Sequence, residues 1–394
     1  MTNPVNAWDT RVLAVAETAF GTTPTPADVA ALAAQALEFS AISMGPPEVG
    51  AVRAKKDRAY GRGMTTGFVE GRVGPIPWSL EVPVKSRASD VADPREVVLY
   101  GAAGLQVMPG QIIPAATPIE SSMFAGMSLT RIVGRSPATY LSETLRGCVA
   151  QSLRWEGGDK EVLLKATGNG LGKYTRGAIA AITVTNVATS VTITAEESYR
   201  LANGLGYYLC GTEIIEVTAC TAGSTTATIA RGALGSSAAA HTDAALQPYV
   251  PAGIAYAGSP IAETTSSCTI GGVSTRVLSW FFEFSSGLEL LGGETGSRHA
   301  QGVKYGRYDG KLGVRLGLKR SDVSLLGKAT ARPVVSVTVS QGTGTGGVWS
   351  VTCPYTEVEP FQVPDNSNDI AIVDVGFRLR DNSSGNNMFS IDLS

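Results

Sequence analysis

What this chain lacks narrows it first. It has two histidines, His241 and His299, so a Ser-His or Cys-His catalyst would need one of them held beside a nucleophile and an orienting carboxylate. No G-x-S-x-G elbow, H-E-x-x-H helix or D-x-[DN]-x-[DN]-G calcium loop occurs. The five cysteines, Cys148, Cys210, Cys220, Cys268 and Cys353, are odd in number, far apart and without a C-x-x-C pair. Neither a disulfide framework nor zinc-ligand spacing is present, and they read as buried apolar thiols in a reducing compartment. Lys and Arg total 32 against 34 Asp and Glu, so no cationic excess is available to neutralise a row of phosphates in tight nucleic-acid binding. No run approaches the roughly 18 apolar residues of a membrane helix, and the start MTNPVNAWDTRV lacks a basic segment followed by an apolar one. The expectation is a non-enzyme without cofactor, metal or membrane partner, assembled in a cytoplasm.

What is there is turn chemistry and alternation. With 46 glycines, 20 prolines and 43% hydrophobic residues, the chain is turn-rich yet apolar enough to build a core. Its 394 residues suit two compact domains, or one large all-β domain with an insertion. Four segments alternate with period two: WSLEVPV places Trp78, Leu80, Val82 and Val84 on one face, and RVLSWFFEF places Leu278, Trp280, Phe282 and Phe284. KLGVRLGLK does the same with Leu312, Val314, Leu316 and Leu318, and IVDVGFRLR with Val373, Val375, Phe377 and Leu379. Their opposite faces carry Glu81, Glu283, Arg315, Asp374, Arg378 and Arg380, as half-buried antiparallel strands do. Two helices are expected. One covers 25–39, with Thr25 as cap, Pro26 at the first position and Val29, Leu32, Ala33, Ala36 and Leu37 on its apolar face; the other covers 93–105, capped by Asp93 and Glu96 and stopped at Gly104. The formal G-x-G-x-x-G of Gly342, Gly344 and Gly347 is followed by VWSV, which is strand-like, so 334–353 reads as a hairpin rather than a dinucleotide site.

Two stretches stand apart. Residues 177–250 are rich in Thr, Ala and Gly, contain short strand candidates, and are flanked by GNGLG (168–172) and QPYVPAG (247–253). They read as a small β module inserted between a first part, 1–176, and a second part, 251–394, of one larger domain. His241 follows a run of alanines in what reads as loop, solvated or locally hydrogen-bonded. Residues 43–74 form an extended, glycine-rich loop or arm with Arg53, Lys55, Lys56, Asp57, Arg58, Tyr60 and Arg62. A long irregular loop of this kind is a mobile surface segment or an arm that binds something.

Several phrases, in order, resemble the bacteriophage tail tube, or major tail, protein family. Glu17, Phe20, Gly21, Thr22 and Pro24 match an early "E-x-x-[YF]-G-T-x-P" phrase. GRVGPIPWSLEVPVKSR with DPREVVLYGAAGL is similar to the family's strand, loop and helix passage. LRGCVAQSLRWEGGDKEVLLKATGNG resembles its central hairpin, and TIGGVSTRVLSWFFEF with the loop and strand after it resembles its C-terminal half. Within the insertion, Gly211, Glu213, Arg231, Gly232, Leu234, Gly235 and His241 match a small β module met in phage virion proteins, in which Arg231 and Gly232 close a turn. The resemblance implies an all-β fold with one or two short helices, a β-sandwich or partial barrel of the tail tube type with an inserted small β domain. It further implies a structural protein of the virion tail that stacks as hexameric rings. Its partners would be itself and the tape measure, terminator and baseplate or tip proteins, with transient, non-specific passage of double-stranded DNA. The arm of 43–74 would reach the next ring. Other ring-forming tail or neck proteins, head decoration proteins and β-sandwich adhesins or lectins share the alternation and glycine-rich turns.

Overall fold

The structure, a computed structural model, describes residues 10–46, 49–53, 68–85, 96–108, 111–114, 126–134, 141–201, 206–251, 261, 266–291, 302–317, 327, 331, 334–343, 347–361, 372–380 and 388–393. Antiparallel pairing dominates, and the expected partial barrel closes. The circuit runs from Ser266–Ile270 to Val273–Ser285, Asp309–Gly317, Ile372–Leu379, Gly347–Val358 and Val334–Thr343, which returns to Ser266–Ile270. Closure leaves no edge within the circuit. The 17-residue strand Leu141–Gly157 joins it at Trp280–Ser285 with its C-terminal half, and its N-terminal half pairs with Met127–Val133 and Gly172–Arg176. Beyond it the sheet continues through Leu163–Gly170 and Ile76–Pro83 to Ala41–Met44.

The alternation predicted the core. Trp78, Leu80, Val82, Val84, Leu312, Val314, Leu316, Val373, Val375, Phe377 and Leu379 are all buried; Leu318 lies outside the described residues. One strand departs from the reading. A bulge between Val277 and Ser279 inserts a residue, so the inward set is Thr275 and Val277 before it and Trp280, Phe282 and Phe284 after it, and Leu278 is only half-buried. Trp155 stacks on Phe282 at 5.4 Å between ring centroids, and Trp280 lies parallel to Trp349 at 4.4 Å. Gln341, fully buried, accepts from the Trp280 indole at 2.9 Å and from the Gly158 amide at 2.7 Å. It thereby pins the Gly157–Asp159 turn of the central hairpin to the barrel.

Three helices are described, one more than expected. The first is a single turn, Val29–Ala33, capped by Asp28, whose carboxylate accepts from the Ala31 amide at 2.7 Å. Ala36 and Leu37, expected on its apolar face, leave the helix to pair with Leu13 and Val12 as a strand. Burying both residues in a sheet outweighs their helical propensity. The second helix is Val97–Ala102, with Gly104 (φ +73°) behind it. Glu96 caps nothing there; its carboxylate accepts from the Lys85 amide, and Asp93 lies outside the described residues. The third, Ala195–Leu201, begins with a reciprocal capping box in which the Thr194 amide bonds Glu197 and the Glu197 amide bonds the Thr194 hydroxyl.

Residues 179–248 form a separate six-stranded sheet. Its order is Ile179–Val184, His241–Pro248, Gly206–Cys210, Glu213–Cys220, Thr226–Ala230 and Ser190–Thr192. It encloses its own apolar cluster around Ile182, Val191, Tyr208, Ile215 and Leu246. A second cluster joins it to the body: Ile214 and Leu234 of the module pack with Leu13, Leu32, Ala36 and Ile132. GNGLG, read as turn or linker chemistry, is a corner between Leu163–Gly170 and Gly172–Arg176, each of which pairs with Leu141–Gly157. Among the described residues no helix is long and apolar enough to cross a membrane.

Candidate functional site

The phrase that begins at Glu17 has a physical explanation. Glu17 ends the first strand, Thr10–Ala16, and is buried. One carboxylate oxygen accepts from the Gly21 amide at 2.6 Å, and the other from the Ser128 hydroxyl at 2.7 Å and the Gly147 amide at 2.8 Å. Burial raises its pKa, against the pull of those donors. Phe20, on the turn this creates, packs with Val149, Leu288 and Val303. Gly147 belongs to the LRGCVAQSLRWEGGDKEVLLKATGNG phrase, so two phrases far apart in sequence meet at one carboxylate. Gly147 has φ +59°, and a Cβ there would lie 2.4 Å from Leu171, so glycine is required on both counts.

The module residues singled out from sequence also converge. Glu213 is fully buried. Its carboxylate accepts from Arg231 Nε at 2.8 Å and Nη2 at 2.6 Å, the Gly232 amide at 2.9 Å, the Ala239 amide at 3.1 Å and His241 Nε2 at 2.8 Å. Arg231 additionally donates to the carbonyls of Thr185 and Ala239. Gly232, at φ +61°, supplies the turn. His241 is the first residue of a strand rather than part of a loop. Burial would raise the Glu213 pKa, but the Arg231 guanidinium, the two amides and His241 hold it down at about 2. A carboxylate saturated by five donors, with its cation used up, is a fastener between strands and offers no free base or nucleophile.

The arm has paired ends. Val49–Arg53 and Phe68–Val73 form an antiparallel hairpin in which Arg53 is opposite Phe68, so this part of 43–74 is not irregular. Lys55, Lys56, Asp57, Arg58, Tyr60 and Arg62 lie outside the described residues, as does His299. The hairpin follows Ala41–Met44, which among the described residues pairs only with Ile76–Pro83.

The solvent face of the body carries a lattice of opposite charges around an open groove of about 750 Å³. Arg154 lies 2.6 Å from Glu156 and 3.2 Å from Glu283, and Lys165 lies 2.9 Å from Glu156 and 3.8 Å from Glu81. Lys311 meets Glu359 at 3.0 Å, and Arg315 meets Asp374 at 3.9 Å. Pairs this exposed stabilise little individually; their consequence is that the face presents few uncompensated charges. Phe281, inside this lattice, carries the Arg154 guanidinium 4.2 Å above its ring. Sequence placed single charges on the outward faces but not the cross-strand pairing, which depends on register.

Thr343 pairs with Gly347 across the expected hairpin, so Gly342 and Gly347 flank a turn; Gly344 lies outside the described residues. Cys148, Cys210, Cys268 and Cys353 are buried, whereas Cys220 is half-exposed. Among the described residues no three His, Cys, Asp or Glu side chains group as metal ligands. Compared with protein-family models and with curated proteins, the chain matches none.

Proposed function

We propose that this chain is a structural subunit of a phage virion, polymerising as stacked hexameric rings into the tail tube through which DNA passes. The observation that carries the reading is the charge-paired outer face of the barrel sheet, next to an edge strand that continues into a hairpin. Arg154, Lys165, Lys311 and Arg315 each lie beside a carboxylate, so a phosphate backbone sliding along this face meets no row of free cations that would retain it. Among the described residues Ala41–Met44 pairs on one side only, which leaves an edge to which a neighbouring sheet can add, and closed rotational symmetry covers every such edge at once. In this reading the hairpin Val49–Arg53/Phe68–Val73, which follows the edge strand in the chain, is the part that reaches the adjoining ring. The chain's role in this reading is mechanical and non-catalytic, with the tape measure, terminator and tip proteins as its other contacts.

Electron microscopy of the purified protein across concentration and salt tests this directly. Uniform hollow tubes, or rings with hexameric symmetry, are expected at high concentration. Monomers at every concentration and ionic strength would refute it.

A further inference from the structure

The contact between the body and the module encloses a small cleft of about 90 Å³, a volume on the order of three water molecules. Alternation builds its floor. Ser142, Thr144 and Arg146 fall on one face of Leu141–Gly157; Thr144 pairs with Thr130 on one side and Tyr174 on the other, and Ser142 pairs with Arg176. The module closes it with Gly206, Tyr207, Glu216 and Tyr249, and the TPTP segment after Gly21 supplies Thr23 and Thr25. Hydroxyls therefore surround two guanidiniums.

Those two guanidiniums lack a counter-charge. Among the described residues neither Arg146 nor Arg176 has an ion pair, and the Nε of each is buried with no hydrogen-bond partner. Arg176 donates one bond, from Nη2 to the Thr144 hydroxyl at 3.1 Å. Arg146 lies 4.7 Å over the Tyr174 ring. Burial pushes the Arg176 guanidinium below its ordinary range, and the charge of Arg146 adds to that. Nearby acids do not compensate. Glu17 senses Arg146 but commits both oxygens to Gly21, Ser128 and Gly147, and the pKa of Glu216 is raised by burial alone, with no cation drawing it down. Gly206 presses on Arg176 so closely that a Cβ would lie 1.7 Å from Nη1; the backbone is shaped around this side chain.

Both side chains are half-buried, but a guanidinium with no carboxylate beside it and a buried Nε without an acceptor is costly, and two that repel each other are more so. A tetrahedral oxyanion answers both charges at once, because the planar fork of each arginine offers parallel N–H donors and the surrounding hydroxyls supply more. We propose that the cleft between body and module binds a phosphate-type oxyanion between Arg146 and Arg176. The ligand is inorganic phosphate or the phosphoryl group of a small ester whose remainder extends out of the cleft. The bound anion locks the module against the body.

The test uses the full-length chain, and does not depend on tube formation. Thermal melts and calorimetric titrations are run with inorganic phosphate, glycerol phosphate, acetate and chloride at matched ionic strength. Phosphate is expected to raise Tm saturably while acetate and chloride do not. Glycerol phosphate binding as well as phosphate supports an ester source, and binding by inorganic phosphate alone supports the free anion. Arg176→Met is expected to melt at or above the parent without phosphate, since a partly desolvated charge without a carboxylate partner is gone, and to lose the phosphate response. Arg146→Met should weaken phosphate at least about tenfold, the factor expected for one lost charge-assisted hydrogen bond. Should Arg176→Met fail to fold, Gly206→Ala provides the same readout by displacing the guanidinium. Phosphate acting no better than acetate or chloride, or the variants responding to it as the parent does, would overturn the proposal.

Discussion

Replacing Glu213 by Gln tests the most densely bonded group in the module. The substitution keeps shape but turns an acceptor of five hydrogen bonds into an amide whose NH2 faces the Arg231 and His241 donors. Arg231, whose side chain is only 7% exposed, then lacks its carboxylate, and removing one partner of a buried pair costs about 3–5 kcal/mol. The displaced pKa gives an independent figure. Depression from 4.5 to about 2 corresponds to about 3 kcal/mol in favour of the folded, ionised state. The sign follows from that depression: the contribution is complete above pH 4.5 and is lost as pH falls towards 2. Every tryptophan lies outside 177–250, which carries Tyr199, Tyr207, Tyr208 and Tyr249, so indole emission reports the body and amide exchange reports the module. Glu213→Gln should speed exchange at Gly232 and Ala239 about a hundredfold while leaving the indole unfolding midpoint unchanged. In the parent, protection of those amides relative to the intrinsic exchange rate at each pH should fall by a similar factor on acidification from pH 5 to pH 2.5. Exchange within about twofold of the parent at neutral pH, or a parent insensitive to that acidification, would refute the argument.

Two further outcomes follow from the body. Gly147→Ala forces a Cβ onto Leu171 at a positive φ and disturbs the amide that Glu17 binds; a loss of at least about 2 kcal/mol in urea unfolding followed by indole emission is expected. Joining Arg53 to Phe68 through a two-residue Asn-Gly turn retains the hairpin register; such a chain should fold and form rings that fail to stack, as seen by electron microscopy and sedimentation.

Legibility from sequence tracked how local each determinant is. Period two in IVDVGFRLR identified Val373, Val375, Phe377 and Leu379 as core because alternation is a property of one strand. Leu278 was misplaced because a bulge is set by the partner strand. The helix expected through Leu37 was cut short by pairing with Val12 and Leu13, residues more than twenty positions away. Ala195–Leu201 went unread although T-A-E-E is a capping-box signal; its short span sits among Thr-rich strand candidates. Glu213, Arg231, Gly232 and His241 were named together from a resemblance, and the fold joins them at one carboxylate. Arg146 and Arg176 carried no sequence signal, since lacking a carboxylate is a property of the assembled cleft.

The order of strands in the module bears on when each part of the chain folds. Its first strand, Ile179–Val184, is the sheet neighbour of its last, His241–Pro248, and Ile179 is opposite Leu246. The two points where it leaves the body therefore lie side by side. Among the described residues all its strand pairings are internal to one continuous stretch, whereas the body must join Glu156 to Phe281 and Cys268 to Val339. Once formed, the module turns a separation of some seventy residues into a short bridge, lowering the entropy lost when the two halves of the body meet. A module that folds first would shorten the search for barrel closure, the slowest class of pairing by topology. The chain would then spend less time with unpaired strands exposed to its own copies.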